Sequence, residues 1–268
     1  MLKVICLGFI ILLLSGCGYD IPSPQQRETN AEKLVSHKNF KKKIFHTDKF
    51  DIFSYTTDLQ NCKKVDVYIE GDGLSWITSN IISTNPTPIN PIGLKLALQD
   101  KSRCVVYLAR PYQYIKYTKG DSKYWTGYRF SKEVINSYNE ILNSLKSTYN
   151  LSSFNLYGYS GGGAIATLIT AFRDDVNLLT TYAGNLNTDY WCKLHYLTPL
   201  SHSLNPADFV NQLEKQNQLH YIGEKDTNID KGVFFSYYKK FKDKSHIKYK
   251  ILKGCTHTYG WDNPTQFQ

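Results

Sequence analysis

The chain has 268 residues, 41% hydrophobic and 21% charged, with a formal charge of +9 at pH 7. That length suits one α/β domain or two small ones, and a single domain of this size buries a large core. The composition excludes a disordered chain. The lysines are scattered apart from Lys41–Lys43, with no basic helix and no RNA-type motif, so the charge does not point to nucleic acid.

In chain order, Lys3 precedes the apolar run Val4 to Leu14, which closes on Leu14-Ser15-Gly16-Cys17. The run is too short to span a bilayer and has signal-peptide flanks. Its ending resembles the lipobox of bacterial lipoproteins. The resemblance implies removal of residues 1–16 and acylation of Cys17, with Gly18 in place of Asp directing the protein to the outer membrane of a Gram-negative cell. Several acyl chains would hold it there firmly while its body stays in water. Residues 17–34, carrying Pro22 and Pro24, read as the lipidated N-terminus and a tether, and residues 35–268 as one domain.

Lys42–Phe45 and Phe50–Tyr55 read as an N-terminal antiparallel hairpin. Val65–Ile69 is a buried strand leading into Glu70-Gly71-Asp72-Gly73, and residues 77–90 read as a polar loop. Asn90-Pro91 is read as the cap and first residue of a helix. Val105–Ala109 is the next strand, stopped by Arg110-Pro111; a tyrosine-rich loop over 112–130 follows, then a helix from Ser131. Leu178–Tyr182, Leu219–Ile222 and Ile247–Leu252 are further strands; residues 186–205 read as an irregular insert, Pro206 starts a short helix, and 232–242 form a longer one. Strands alternating with helices predict an α/β fold: a mostly parallel sheet with helices on both faces.

Between these elements, Phe154–Tyr157 leads into Gly158-Tyr159-Ser160-Gly161-Gly162, and Ile165, Leu168, Ile169 and Phe172 continue at helical spacing. This is G-x-S-x-G in a strand–turn–helix context. A serine at the tip of so tight a turn leaves no room for side chains two residues before and after it, which explains Gly158 and Gly162. Gly161 offers its backbone N–H to a developing oxyanion.

Chemistry in an open α/β sheet collects beyond the carboxyl ends of the strands. A serine needs a base, and the base needs an acid to orient it. His257 follows the last strand; His37, His46, His195, His202, His220 and His246 all lie before or inside elements that place them elsewhere. Asp226, at the end of the preceding strand, is preferred over Glu224, which lies too early, and Asp230, which belongs to a helix cap. The order Ser160, Asp226, His257 matches the α/β-hydrolase arrangement. Gly71, Asp72 and Gly73 stand where that fold places its second oxyanion donor, and the Asp72 N–H is assigned to it beside that of Gly161.

Residues 40–265 resemble a bacterial α/β-hydrolase lipoprotein of the esterase/lipase-like superfamily. The resemblance rests on Ile69–Trp76, Leu108–Pro111, Gly158–Ala164, Ala183–Asn187, Ser203–Asp208 and His257 with Trp261. It implies an acyl-enzyme mechanism with no cofactor and no metal, acting on a small ester or a lipid. Glu70 departs from it, standing where many lipases have His. A peptidase or acyltransferase on the same fold is the alternative; a non-enzymatic surface lipoprotein, binding through the 112–130 loop, is another. Neither oligomeric state nor natural substrate is legible.

Four cysteines remain after Cys6 and Cys17. Cys62 and Cys104 each precede a strand at one end of the sheet, and Cys192 and Cys255 follow strands at the other. Of three pairings, 62–104 with 192–255 is therefore expected. The inserts are too short for a large cap, and Trp76, Tyr112, Tyr114, Trp125, Trp191 and Trp261 are expected to line the pocket.

Overall fold

A computed structural model describes residues 21–116, 120–261 and 267. The proposed signal peptide, Cys17 and Gly18 lie outside these residues.

The first described element corrects the tether reading. Residues Pro24–Val35 form helix α1, closed by a capping box in which Ser23 and Gln26 exchange side-chain-to-backbone hydrogen bonds, with Pro24 in the first turn. Its sparse apolar stripe, Ala31 and Val35, is buried against the body.

The main sheet has eight strands: β1 (Lys41–His46), β2 (Asp51–Thr56), β3 (Lys64–Ile69), β6 (Val105–Leu108), β7 (Ser153–Tyr159), β8 (Val176–Tyr182), β9 (Gln218–Gly223) and β10 (Ile247–Leu252). Its order is β1-β2-β6-β3-β7-β8-β9-β10. From β6 to β10 all pairings are parallel; β1 and β2 form the expected antiparallel hairpin, and β2 runs antiparallel to β6. Strand residues alternate between two cores. Val65, Val67, Ile69, Phe154 and Leu156 face one side with α3 (Lys132–Tyr149) and α4 (Gly161–Ala171). Tyr68, Val105 and Tyr107 face the other, with α1 and α2 (Ile92–Gln99). Burial on both faces explains why these strands read as apolar runs.

Three segments differ from expectation. Within 77–90 lies a small antiparallel hairpin, β4 (Trp76–Thr78) and β5 (Ile81–Ile82), outside the main sheet. Within 186–205 lies helix α5 (Thr188–Leu194), capped by Asn187, whose side chain accepts from the Tyr190 N–H. Asn90 does not cap α2: the Glu70 carboxylate, brought in from the end of β3, accepts from the N–H groups of Gly93 and Leu94 at 3.0 and 3.2 Å. A further helix, α6 (Lys231–Tyr238), starts on Asp230, which caps it as expected.

Cys62 and Cys104 form a disulfide across 42 residues. Cys192 and Cys255 do not, correcting that half of the expected pairing. Cys192 lies on α5 rather than in a loop, and both thiols are buried in the apolar core.

Candidate active site

Going along the chain, β3 is followed by β6 on one side of it and β7 on the other. The β3–β7 boundary is therefore the point where strand order reverses, and a crevice opens beyond the carboxyl ends of strands there. β3 delivers Glu70 to Gly73 to this crevice, and β7 delivers Ser160.

Ser160 is held at φ 52°, ψ −118°, a conformation few non-glycine residues adopt. The turn closes because Gly158 and Gly162 lack side chains. A Cβ on Gly158 would run into the backbone of Gly162, and one on Gly162 into the carbonyls of Ile69 and Glu70. The hydroxyl is thus lifted clear of the sheet at the start of α4.

His257 and Asp226 meet it. Ser160 Oγ lies 3.1 Å from His257 Nε2, and His257 Nδ1 lies 2.8 Å from Asp226 Oδ2. The Asp226 side chain is fully buried, and its other oxygen accepts from the N–H groups of Asn228 and Ile229 at 2.9 and 2.8 Å. With every oxygen fixed, the carboxylate can hold the imidazole in one orientation with the Nδ1 proton facing it. Glu224 instead accepts from the Gly254 N–H. His195 also lines the cleft, but its Nε2 meets the Asn228 carbonyl at 2.7 Å and not Ser160; His220 is buried between Thr181 and Gln218.

The expected oxyanion residues divide. The Gly71 N–H already donates to Glu70 at 2.9 Å, so Gly71 is not a donor to substrate. The N–H groups of Gly161 and Asp72 make no hydrogen bond among the described residues, and the first amides of a helix such as α4 have no partner within it. The Asp72 side chain packs so closely against Gly161 that a Cβ there would overlap its carboxylate.

A bare carboxylate beside two unpartnered backbone N–H groups would attract a cation rather than an anion. Asp72 is not bare: Arg110 Nη1 and Arg129 Nη1 each donate to it at 2.7 Å. Burial disfavours its charge, but the two guanidiniums outweigh burial and hold its carboxyl below the ordinary value. Arg110 also donates to the Arg129 carbonyl at 2.5 Å, tying loop 126–130 to the loop that carries Asp72. Neither arginine was assigned a role from sequence. Arg110 follows a strand directly and was open to recognition by position, but Arg129 sits in an irregular loop that gives no signal.

Glu70, the departure from the lipase pattern, is 1% exposed and accepts four hydrogen bonds, from Gly71, Gly93, Leu94 and the Tyr107 hydroxyl. Burial pushes its carboxyl up from the ordinary range while these donors pull it down. Its work is to fix the start of α2 to the loop after β3.

Above Ser160 lies an open cleft of about 1120 Å³, walled by loop 72–90, α5 with the segment after it, and the His257 loop. Of the aromatic residues expected there, Trp76 and Trp191 line it. Tyr112 does not, and Tyr114, Trp125 and Trp261 are buried in the core. Asn185 joins the lining; its N–H donates to the Ser160 carbonyl at 3.1 Å, and its buried Oδ1 has no partner among the described residues.

No protein-family model matches the sequence, and no curated protein matches it. Solved structures do. The chain is similar to an esterase of Pyrococcus furiosus at 14% identity and a TM-score of 0.60, over 86% of this chain and 88% of that one. It is similar to the esterase Est1E of Butyrivibrio proteoclasticus at 12% identity and a TM-score of 0.57, over 81% and 90%. An alpha-beta serine hydrolase homologue from Coxiella burnetii matches at 12% identity and a TM-score of 0.56, over 82% and 89%. With its mostly parallel sheet, the tight strand–turn–helix elbow at Ser160 and flanking helices, this chain has the α/β-hydrolase fold.

Proposed function

We propose that this protein is a serine hydrolase of the cell envelope, a carboxylesterase or lipase-like enzyme working through Ser160, His257 and Asp226. The observation that carries the reading is the unbroken relay from Asp226 through His257 to Ser160, at distances of 2.8 and 3.1 Å, beneath an open cleft. His257 Nε2 takes the Ser160 proton as Oγ attacks the ester carbonyl. Asp226 stabilises the imidazolium that forms. The N–H groups of Gly161 and Asp72 receive the oxyanion. Collapse expels the alcohol, protonated by His257, and leaves an acyl group on Ser160; water, activated by the same imidazole, then releases the acid. That the structural neighbours include esterases supports this choice over a peptidase or acyltransferase.

A fluorophosphonate probe should label the wild-type protein and spare Ser160→Ala; equal labelling of both would end the proposal. Turnover of a p-nitrophenyl ester series, with none of an aminoacyl anilide, separates esterase from peptidase. The envelope location rests on acylation of Cys17, which metabolic labelling with palmitate should detect and Cys17→Ala should abolish. Among the described residues no helix is long and apolar enough to cross a membrane.

A further inference from the structure

Both lips of the cleft are built from charge-free chain. Residues 73–94 contain no Asp, Glu, Lys or Arg, and neither do residues 194–207, in a protein that is 21% charged. These stretches hold large apolar side chains out in solvent. On one lip, Trp76, Ile77, Ile81 and Ile82 on β4 and β5 are 40%, 41%, 56% and 39% exposed. On the other, Tyr196 and Leu197 are 97% and 46% exposed. A contiguous exposed apolar surface around a site marks an interaction surface.

We propose that this rim docks on a lipid bilayer, so that Ser160 receives an acyl ester held in the lipid layer rather than one dissolved in water. The inference deepens the serine hydrolase reading and rests on it for the chemistry, but not for the docking. Three observations favour a bilayer as the occupant. Leu197 and Trp76 line the cleft and stand at its mouth, so a protein partner or second copy seated there would seal the site, whereas a bilayer delivers substrate through it. Tryptophan, tyrosine and aliphatic side chains carried on charge-free stretches suit the boundary between headgroups and acyl chains.

The third observation is where the chain enters. Arg27, in the first turn of α1, is buried and donates to the carbonyls of Asn85 and Thr87. The same loop runs straight on into Pro88 and Ile89 in the cleft wall. The start of α1 is therefore fastened to the loop that forms one lip. An acyl anchor on Cys17 would be only six residues from Ser23, a span of about 20 Å at most. A tether that short holds the lip at the bilayer surface.

The test uses the full chain carrying Ser160→Ala, which leaves lipid intact, in vesicles of phosphatidylcholine and phosphatidylglycerol with brominated acyl chains. Bromine quenches tryptophan only inside the bilayer. Comparison with the same protein carrying Trp76→Phe isolates Trp76, and its emission should be quenched. Adding Ile81→Ser and Ile82→Ser should shift the docked-to-undocked ratio by about tenfold towards undocked. Equal quenching with and without Trp76 overturns the proposal. So does a dimer in sedimentation that the Ile81→Ser, Ile82→Ser pair abolishes, since that gives the rim to a second copy. Quenching of Trp76 in that variant, with no fluorophosphonate taken by Ser160 of the wild type, would keep the docking and remove the hydrolase; labelling of the wild type without quenching in the variant would do the reverse.

Discussion

The Tyr159 hydroxyl donates to the backbone carbonyl of His257 at 2.5 Å, so the residue before Ser160 holds the loop that carries His257. Strand β7 thereby sets both ends of the Ser160–His257 contact. The Trp261 indole donates to the same carbonyl at 2.9 Å, so the loop keeps one restraint if the other is cut. Tyr159→Phe should lower kcat on a p-nitrophenyl ester about fivefold, the worth of one net hydrogen bond, with KM nearly unchanged. A fall in Tm with kcat intact would show that the bond serves stability only.

Asp72 bears on both activity and stability. Among the described residues its carboxylate is the only one within ion-pair distance of Arg110 and Arg129, whose side chains are 4% and 8% exposed. Asp72→Asn leaves two buried cations without their counter-ion and should cost about 3–5 kcal/mol in unfolding free energy. The pH dependence has a definite sign. The folded carboxyl lies below its ordinary value of 3.8, so its contribution is present above that pH and is lost as pH falls through the lower folded value. Urea unfolding of wild type and Asp72→Asn should therefore differ at neutral pH and converge in strong acid. A difference that does not shrink on acidification would contradict the ionic account.

The disulfide supplies a third expectation. Cys62 and Cys104 close 42 residues that include β3, the loop carrying Asp72, and α2. Closing a loop of that length stabilises by roughly 4 kcal/mol if it acts through the unfolded chain. Cys62→Ser with Cys104→Ser should lower Tm by about 10 °C. Reductant should bring the wild type to the same Tm and leave the double variant unmoved.

What was legible in the sequence shares a physical character: it was local or fixed by order. The elbow could be read because Gly158 and Gly162 are demanded by sterics within five residues. His257 could be read because strand order alone puts it past β10 at the site. The Ser23–Gln26 capping box with Pro24 was present as a signal for α1, but the polar composition that follows it reads equally as a tether. Helix α5 is two turns long and has no apolar period to betray it, and that hidden helix carries Cys192 into the core. The Asp72, Arg110 and Arg129 cluster was out of reach, because it joins three separate loops and exists only once the sheet has assembled.

His220 gives a last prediction, away from the site. It lies inside β9 with Nδ1 2.8 Å from Thr181 Oγ1 and Nε2 3.1 Å from Gln218 Oε1. Among the described residues no carboxylate accompanies it, and the Phe234 and Tyr237 rings pack at its sides. Burial alone lowers its pKa from 6.5 to about 3, so it stays neutral in the fold. The unfolded chain takes up a proton as pH falls below 6.5, and the folded chain takes one only near pH 3. Stability is therefore retained above the first value and lost towards the second, by about 1.4 kcal/mol per pH unit from this group. His220→Gln keeps a polar side chain but cannot titrate. Subtracting its unfolding free energy from that of wild type, at each pH between 7 and 4, should leave that slope. A flat difference would mean that His220 is already charged in the folded protein or that water reaches it inside β9.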